Sequence, residues 1–299
     1  MIAIDLGSNT VRGIELSCDT LAFGRSYEQM VKTADQLSKT KKISAEGVKR
    51  VIDALLIMKQ HLDFDKHQVV AKTTAALRMA ENSDEVIDEI YKATSVKFEI
   101  IDAQQEAFYT QLAVKSRLET LGYQSEFVLL DVGGGSTEVI VCHDDKVHAM
   151  SVDVGIVTMS QTYTNEDELV KALYNSLHSV KEFISNIVYK PKILISTAGT
   201  PTTMASMKQG LTVESYDPTI VNGTILDDED LTRQLKRLLA MDEKQRALHV
   251  GVGRDILIIT GVEILRVLMD LLGFNEMMVI DDGLREGLAI HSCKESSLD

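Results

Sequence analysis

Short apolar runs separated by turn residues open the chain. Residues 2–6 form one run that ends before Gly7, a second extends from Val11 to Leu16, and a third begins near Leu21. Runs of this length between turn residues are typical of β-strands. The opening therefore predicts three consecutive strands joined by two turns.

Helical periodicity follows this opening. Apolar residues recur at the spacing of a core-facing helix, at Val48, Val51, Ile52, Leu55 and Leu56. Ser44 precedes them as a favourable N-cap, and Asp102 with Gln105 predicts the start of another helix, which extends to about Leu121. Between the two helices we expect a strand at 69–71, a helix at 83–93 and a strand at 97–101. This alternation of helices and strands is typical of α/β domains.

The strand–turn–strand pattern returns in the second half. Residues 127–130 are apolar, a glycine-rich turn covers 131–137, and a turn at Asp144-Asp145 separates strands at 138–142 and 146–154. Further along we expect a helix from Asn165 to about Val188, strands at 193–195 and 277–280, and helices at 228–241 and 255–272. The recurrence predicts two related α/β domains, residues 1–124 and 125–299, with a last helix that packs back on the first domain.

Charge and hydropathy narrow the function classes. The net charge is −14, whereas a protein that binds nucleic acid usually has a basic surface. The most apolar stretch, residues 256–272, is interrupted by Glu263, Arg266 and Asp270, so it predicts a buried helix and no membrane span. We therefore expect no nucleic-acid partner and no membrane partner. A polyanionic substrate would have to meet locally placed cations, backbone N–H groups or a metal ion.

The cysteines are few and scattered. Cys18, Cys142 and Cys293 are odd in number, and their spacing predicts neither a disulfide framework nor a metal-ligand cluster. Such usage is typical of a reducing compartment, and the first strand begins at residue 2, which leaves no room for a signal peptide. We therefore expect a cytoplasmic protein.

Two glycine-rich turns carry the chemistry that the residues themselves indicate. They contribute Gly7, Ser8, Asn9 and Thr10 in the first half, and Gly133, Gly134, Gly135, Ser136 and Thr137 in the second. Glycine allows close approach of backbone N–H groups to an anion, and hydroxyl groups add donors. Asp5 and Asp131 precede the turns and suit a hydrated Mg²⁺ ion.

A third turn at Gly199 joins a strand to a helix and could hold phosphate, although such turns are common. Each turn alone could be a simple connection, but the recurrence of the first two favours a phosphate site.

Six motifs follow one another along the chain: Ile4 to Arg12, Thr74 to Arg78, Gln105 to Ala107, Leu130 to Glu138, Ser196 to Thr200, and Asp282 to Gly287. Together they resemble the exopolyphosphatase/guanosine pentaphosphate phosphohydrolase (Ppx/GppA) family over the whole chain. The resemblance implies an α/β fold of the actin-like ATPase superfamily, with two ribonuclease-H-like domains around a central cleft. Longer family members add C-terminal helical domains, which we expect this short form to lack, and a homodimer is one possible assembly.

The resemblance also implies roles for individual residues. Glu106 matches the catalytic glutamate that activates water, and its place near a helix N-terminus is physically suitable. Arg12 and Arg78 match phosphate-binding arginines. Asp131 and Glu138 match acids that hold Mg²⁺ or Mn²⁺, with Asp5 opposite them. Arg254 and Arg285 lie in matching segments without an assigned role.

Two departures from the family pattern affect these expectations. Many members have acids at the positions of Gln104 and Gln105, so we expect weaker metal binding or an altered catalytic base here. Lys32 stands where the family commonly has an arginine, which keeps the charge but loses the guanidinium fork. Lys39, Lys41 and Lys42 could steer a polyanion, although such a cluster is more often a solvated turn.

Three functions are compatible with this sequence. The first is removal of the terminal phosphate of inorganic polyphosphate by a Mg²⁺-dependent phosphohydrolase. The second is the same reaction on guanosine pentaphosphate, with the turn at Gly199 holding part of the nucleotide. The third is an actin-like nucleotide- or polyphosphate-binding sensor with weak or no turnover.

Overall fold

A computed structural model describes residues 1–123, 126–143, 146–189, 191–251 and 255–296. The predicted turn at Asp144-Asp145 and Arg254 lie outside these residues. The chain divides into two compact units. Unit 1 comprises residues 1–114 and 282–299, and unit 2 comprises residues 115–281.

The strands are β1 (Ile2–Leu6), β2 (Thr10–Leu16), β3 (Phe23–Met30), β4 (Val69–Thr73), β5 (Glu99–Ile100), β6 (Phe127–Val132), β7 (Thr137–His143), β8 (Lys146–Val152), β9 (Leu194–Thr197), β10 (Thr224–Asp227) and β11 (Glu276–Val279). The helices are α1 (Leu37–Thr40), α2 (Ala45–Leu62), α3 (Ala75–Met79), α4 (Ser83–Thr94), α5 (Ala103–Thr120), α6 (Ile156–Thr162), α7 (Glu166–Ser176), α8 (His178–Ser185), α9 (Gly199–Lys208), α10 (Pro218–Val221), α11 (Asp228–Leu239), α12 (Glu243–Val250), α13 (Asp255–Leu272) and α14 (Leu284–Ser296).

The sheet of unit 1 has the strand order β3-β2-β1-β4-β5. β1, β2 and β3 form an antiparallel meander, and β4 and β5 run parallel to β1. Alternation along β1 places Ile2, Ile4 and Leu6 in one core, which α2 and α4 share, whereas Ala3 lies in a second core with Leu288 of α14. The terminal helix therefore covers one face of the first sheet.

The sheet of unit 2 repeats this arrangement. Its order is β10-β11-β9-β6-β7-β8. β6, β7 and β8 form the antiparallel meander. β9 pairs with the free edge of β6, and both β9 and β11 run parallel to β6. β10 is added at the edge, antiparallel to β11. Apart from that edge strand, both sheets have the 3-2-1-4-5 order of a ribonuclease-H-like domain. The predicted α/β fold class is confirmed.

Local caps behave as the sequence predicts. Ser44 Oγ accepts the N–H of Gly47 at 3.1 Å at the start of α2. Asp102 and Gln105 exchange hydrogen bonds of 2.8 and 3.1 Å at the start of α5. Two elements differ from the prediction. The helix predicted from Asn165 to about residue 188 is divided into α7 and α8 at Leu177, and the edge strand β10 was not predicted.

The expectation about the cysteines is wrong. Cys18, which follows β2, forms a disulfide with Cys293 of α14, within unit 1. The sequence could not indicate this pair because 275 residues separate the two cysteines and only the packing of α14 on the sheet brings them together. Cys142 remains a buried thiol, and burial raises its pKa to about 12. Cysteine usage therefore gives no indication of a reducing compartment for this chain.

The domain boundary at residues 124 and 125 stays a prediction. The two compact units divide within α5, between Val114 and Lys115. A continuous helix carries no turn residue at such a division, so the sequence has no local signal for it. Among the described helices, none is both long and apolar enough to span a bilayer.

Candidate phosphate-binding and catalytic residues

The first glycine turn, residues 7–10, joins β1 to β2 and is tied from one side. Amide groups of residues 31–34 donate to the carbonyl oxygens of Ser8 and Asn9, each at 2.9 Å. Because a peptide is planar and trans, its N–H points opposite to its carbonyl. The N–H groups of Asn9 and Thr10 therefore point away from residues 31–34. This is the orientation that an anion-binding turn requires.

The second glycine turn, residues 133–136, is tied in the same way. The first two amide groups of α6 donate to the carbonyl oxygens of Gly133 and Gly134, at 2.9 and 2.8 Å. The N–H groups of Gly134 and Gly135 therefore point away from α6. Both halves of the repeat use the segment after their third strand to orient the turn after their first strand.

Gly155, the N-cap of α6, is a functional candidate that sequence reasoning missed. A Cβ at this position would lie well under 3.0 Å from the carbonyl oxygen of Gly134 and from backbone atoms of Gly135. Only glycine lets α6 approach the turn this closely. No local pattern marks Gly155, because its neighbours come from a segment about 20 residues earlier in the chain.

Three predicted features of unit 1 follow parallel strands. The first turn follows β1, Arg78 follows β4, and Glu106 follows β5. Because carboxyl ends of parallel strands meet at one edge of a sheet, these features lie at the same edge. Thr73 Oγ1, at the end of β4, donates to the carbonyl of Leu6 at 2.8 Å and ties two of these strand ends together.

Glu106 and Arg78 are in direct contact. Nη1 of Arg78 lies 3.2 Å from Oε2 of Glu106 and donates to the carbonyl of Ile101 at 2.9 Å. Glu106 is 8% exposed and occupies the first turn of α5. Arg78 thus fixes the carboxylate relative to the end of β5. A guanidinium has five N–H groups, so these two contacts leave donors for a phosphate oxygen.

Charges alternate along a row of cross-strand partners in unit 1. In register across the five strands, the row contains Glu28, Arg12, Asp5, Lys72 and Glu99. Arg12 forms an ion pair with Glu28, at 3.4 Å, and Lys72 forms one with Glu99, at 2.5 Å. Directly opposite residues project from the same face of a sheet. Asp5 therefore has a cation on each neighbouring strand.

The corresponding row of unit 2 has different chemistry. It contains Ser151, Glu138, Asp131 and Thr197, in register across four strands. Glu138 is 2% exposed and accepts a hydrogen bond of 2.8 Å from Ser151 Oγ. Two carboxylates thus stand opposite each other in a row whose other members are hydroxyl residues. Oxygen ligands of this kind suit Mg²⁺, which commonly takes one or two carboxylates together with substrate phosphates and water. Within the described ranges, no group of three or more His, Cys, Asp or Glu side chains could hold a metal ion.

The third glycine turn follows β9, next to the second turn. β6 and β9 are parallel, with Asp131 opposite Thr197, so the turns after them share an edge of the sheet. Gly199 is the first residue of α9, and a Cβ there would meet open space. Ala198 has φ 79° and ψ −176°, a conformation that almost exclusively glycine adopts. The chain therefore bears backbone strain directly before Gly199.

The motif at the end of the chain belongs to unit 1. Glu286 accepts the N–H of Gly283 at 2.9 Å and pairs with Arg285, which makes a rigid start of α14. A Cβ at Gly287 would collide with the carbonyl of Tyr109, one helical turn after Glu106 on α5. Burial raises the pKa of Tyr109, and nearby Lys72 opposes this shift. α14 thus packs directly on the helix that carries Glu106.

Comparison with known proteins agrees with these observations. The chain is 24% identical to Exopolyphosphatase 2 of Mycobacterium tuberculosis, over 96% of this chain and 97% of that protein. It is 25% identical to a guanosine-5'-triphosphate,3'-diphosphate pyrophosphatase of Photobacterium profundum, over 96% of this chain and 58% of that protein. The crystal structure of an exopolyphosphatase from Cytophaga hutchinsonii shares the fold, with a TM-score of 0.85 and 21% identity, over 98% of this chain and 97% of the other.

The relatives differ in length. The chain spans 44% and 58% of two of the curated relatives that it matches, about half of each, whereas it spans nearly all of the mycobacterial protein. Residues 25–296 match the model of the Ppx/GppA phosphatase family. This range begins after the first glycine turn and includes most of β3, all later strands, the second glycine turn, Glu106 and α14. This chain belongs to the Ppx/GppA phosphatase family.

Proposed function

We propose that this chain is an exopolyphosphatase, which hydrolyses the terminal phosphate of inorganic polyphosphate and releases orthophosphate. The observation that carries the proposal is the Glu106–Arg78 pair, 3.2 Å apart, at the same sheet edge as an anion-binding turn. A relative of nearly equal length, 24% identical, is named an exopolyphosphatase. The pair would supply a base and a phosphate-binding cation within one unit.

Glu106 is proposed as the general base. Its carboxylate would accept a proton from the attacking water, whose oxygen forms a bond to the terminal phosphorus as the bond to the bridging oxygen breaks. Arg78 would hold the carboxylate and donate to the transferring phosphoryl group, whose charge spreads over its oxygens. The N–H groups of Asn9 and Thr10, with Arg12 two strand positions later, would bind phosphate oxygens. Ser8 and Gly7 complete this turn.

Phosphatases of this family generally depend on a divalent metal ion. We propose that Asp131 and Glu138 hold Mg²⁺ or Mn²⁺, because they are two acids in register among hydroxyl residues. When bound, such an ion supplies positive charge to phosphate oxygens. Ser136 and the turn N–H groups of Gly134 and Gly135 would contribute further phosphate contacts. Thr137 is fully buried and its hydroxyl donates to the carbonyl of Val154, so it would support the turn without donating this hydrogen to phosphate. Asp5 is the weaker candidate for the metal, since its neighbours in register are Arg12 and Lys72.

Guanosine pentaphosphate is the second candidate substrate. It is favoured by the name of the 25% identical Photobacterium relative and by the open backbone at Gly199, where α9 begins beside the second turn. A helix N-terminus at this place could bind a phosphate of the nucleotide.

The test is a side-by-side measurement of phosphate release from polyphosphates of several lengths, guanosine pentaphosphate and ATP, with and without Mg²⁺. The Glu106→Gln variant keeps the size of the side chain and removes the base, so we expect at least a roughly 100-fold loss of kcat with little change in thermal midpoint. Glu119→Gln is the matched control, since Glu119 is an exposed glutamate on the same helix.

Preferential release from guanosine pentaphosphate would transfer the assignment to the second candidate. A Glu106→Gln enzyme as active as the wild type would refute the role of this residue, and tight binding without turnover in any assay would identify a sensor.

A further inference from the structure

The loop after β3 forms a strap over the first glycine turn. We define the strap as residues 31–34. The N–H groups of Val31 and Lys32 both donate to the carbonyl of Asn9 at 2.9 Å, and the N–H of Ala34 donates to the carbonyl of Ser8 at the same distance. The strap thereby determines the orientation of two peptide groups of the turn. The N–H groups on the opposite side of those peptides belong to Asn9 and Thr10.

The strap is itself held by Arg50 of α2. Nε of Arg50 donates to the carbonyl of Val31 at 2.7 Å, and Nη2 donates to the carbonyl of Lys32 at 3.1 Å. Val31 and Lys32 thus use their N–H groups on the turn and their carbonyl groups on Arg50. A planar guanidinium holds two acceptors in one fixed geometry, which a single ammonium group cannot do.

The backbone of the strap needs such an external restraint. Lys32 has φ 48°, in the left-handed region that non-glycine residues seldom adopt. Unsatisfied carbonyl groups at this place would let the strap relax toward ordinary backbone angles and release Asn9. Oδ2 of Asp35, directly after the strap, lies 4.0 Å from Nη2 of Arg50 and adds a weak ion pair to these hydrogen bonds.

We propose that Arg50 is a positioning residue for phosphate binding, which acts through the strap on the N–H groups of Asn9 and Thr10. The inference rests on the proposed function for the identity of the substrate, and it adds a residue that touches neither the substrate nor Glu106. The expected consequence of losing the fork is weaker binding of phosphate by the first turn. The chemical step, which depends on Glu106 and Arg78, is retained.

The test compares Arg50→Lys and Arg50→Gln with Lys49→Ala. Lys49 is the adjacent residue of α2 and pairs with Asp53 on the same helix at 2.8 Å, away from the strap. We expect Arg50→Lys to raise KM for polyphosphate about tenfold with kcat changed by less than about twofold, because small misplacements of binding groups carry large penalties. Arg50→Gln should raise KM at least as much, and Lys49→Ala should match the wild type.

A second readout separates this inference from the proposed function. Amide signals of Asn9 and Thr10 in ¹⁵N-labelled protein should shift in Arg50→Lys without any ligand, and their response to added tripolyphosphate should require higher concentrations than in wild type. If the wild type releases no phosphate, the proposed function fails and this titration alone decides the role of Arg50. Unchanged KM and unchanged Asn9 and Thr10 signals in a folded Arg50→Lys protein would overturn the inference. A lower thermal midpoint with an unchanged tripolyphosphate titration would overturn it as well, since that pattern indicates a purely structural arginine.

Discussion

Gly155→Ala is the perturbation that most directly tests the role of the second glycine turn. The added Cβ would lie well under 3.0 Å from backbone atoms of Gly134 and Gly135, which cannot rotate away as a side chain can. Restoring an ordinary contact of 3.4 Å or more requires that α6 or the turn move by roughly 1 Å. The hydrogen bonds from α6 to the carbonyls of Gly133 and Gly134, 2.9 and 2.8 Å long, would be stretched by this movement.

The expected cost has two parts. Overpacking of a well-packed site costs about 1–3 kcal/mol, and for a domain of this size each kcal/mol lowers the thermal midpoint by about 2–4 °C. Displacement of phosphate-binding N–H groups by about 1 Å is expected to lower kcat/KM about 100-fold. The activity loss should therefore far exceed what the modest loss of stability explains at the assay temperature.

Phosphate release from polyphosphate and a thermal unfolding scan measure the two parts separately. Thr162→Ala is the control, since Thr162 lies at the exposed end of the same helix. Gly7→Ala is an informative comparison, because a Cβ there would meet the carbonyl of Thr10 at an ordinary 3.7 Å and should cost little stability. Wild-type kcat/KM in Gly155→Ala, with the expected fall in midpoint, would refute a phosphate-binding role for the second turn.

Three further predictions concern stability and thiol reactivity. Cys18→Ser should lower the free energy of unfolding by about 2–5 kcal/mol relative to the oxidised wild type, because the disulfide to Cys293 closes most of the chain. In the native oxidised protein near pH 8, thiol titration should find almost no reactive thiol, because burial raises the pKa of Cys142 to about 12. A prompt reaction before any reductant is added would show that the disulfide between Cys18 and Cys293 does not form. Burial raises the pKa of Glu263 above its ordinary value of 4.5, although Arg266 lies 3.2 Å away and opposes the shift. The folded chain then retains this proton to higher pH than the unfolded chain, so the contribution of Glu263 to stability falls as pH rises from about 4.5 through the raised pKa. Glu263→Gln should therefore raise the thermal midpoint at about pH 7 more than at about pH 4, and an equal change at both would contradict the shift.

Local signals predicted much of each unit. Caps such as Ser44 and the Asp102–Gln105 pair act within three residues, so they are visible in sequence and are present in the structure. The strand meanders were also predictable, because alternation and turn residues lie next to each other in the chain. Leu56 shows the limit of this reasoning: it fits the helical pattern of α2 but is 42% exposed, because the sheet covers only part of that helix.

The rest depends on contacts that the sequence does not mark. Gly155 packs against the second glycine turn, and two strands lie between them in the chain. Arg50 of α2 donates to a carbonyl group of the strap, which precedes that helix. The disulfide of Cys18 depends on where α14 packs. In each case the partner is distant in sequence, and neither residue type nor spacing distinguishes it from a surface or structural residue.

The two rows of cross-strand partners explain how one repeat could produce two kinds of site. The same position of the meander, directly opposite the aspartate of the first strand, holds Arg12 in unit 1 and Glu138 in unit 2. On the other side, Lys72 of unit 1 corresponds to Thr197 of unit 2. Asp5 has a cation on each neighbouring strand, and Glu28 and Glu99 pair with these cations from the outer strands. Around Asp131 a second carboxylate adds negative charge, which favours a divalent cation. The backbone of both turns is tied in the same manner, so the units differ at these positions in their side chains. The strand register therefore shows where a proposed metal site in unit 2 would differ from the corresponding place in unit 1: a second carboxylate stands opposite the aspartate in unit 2, and a guanidinium in unit 1.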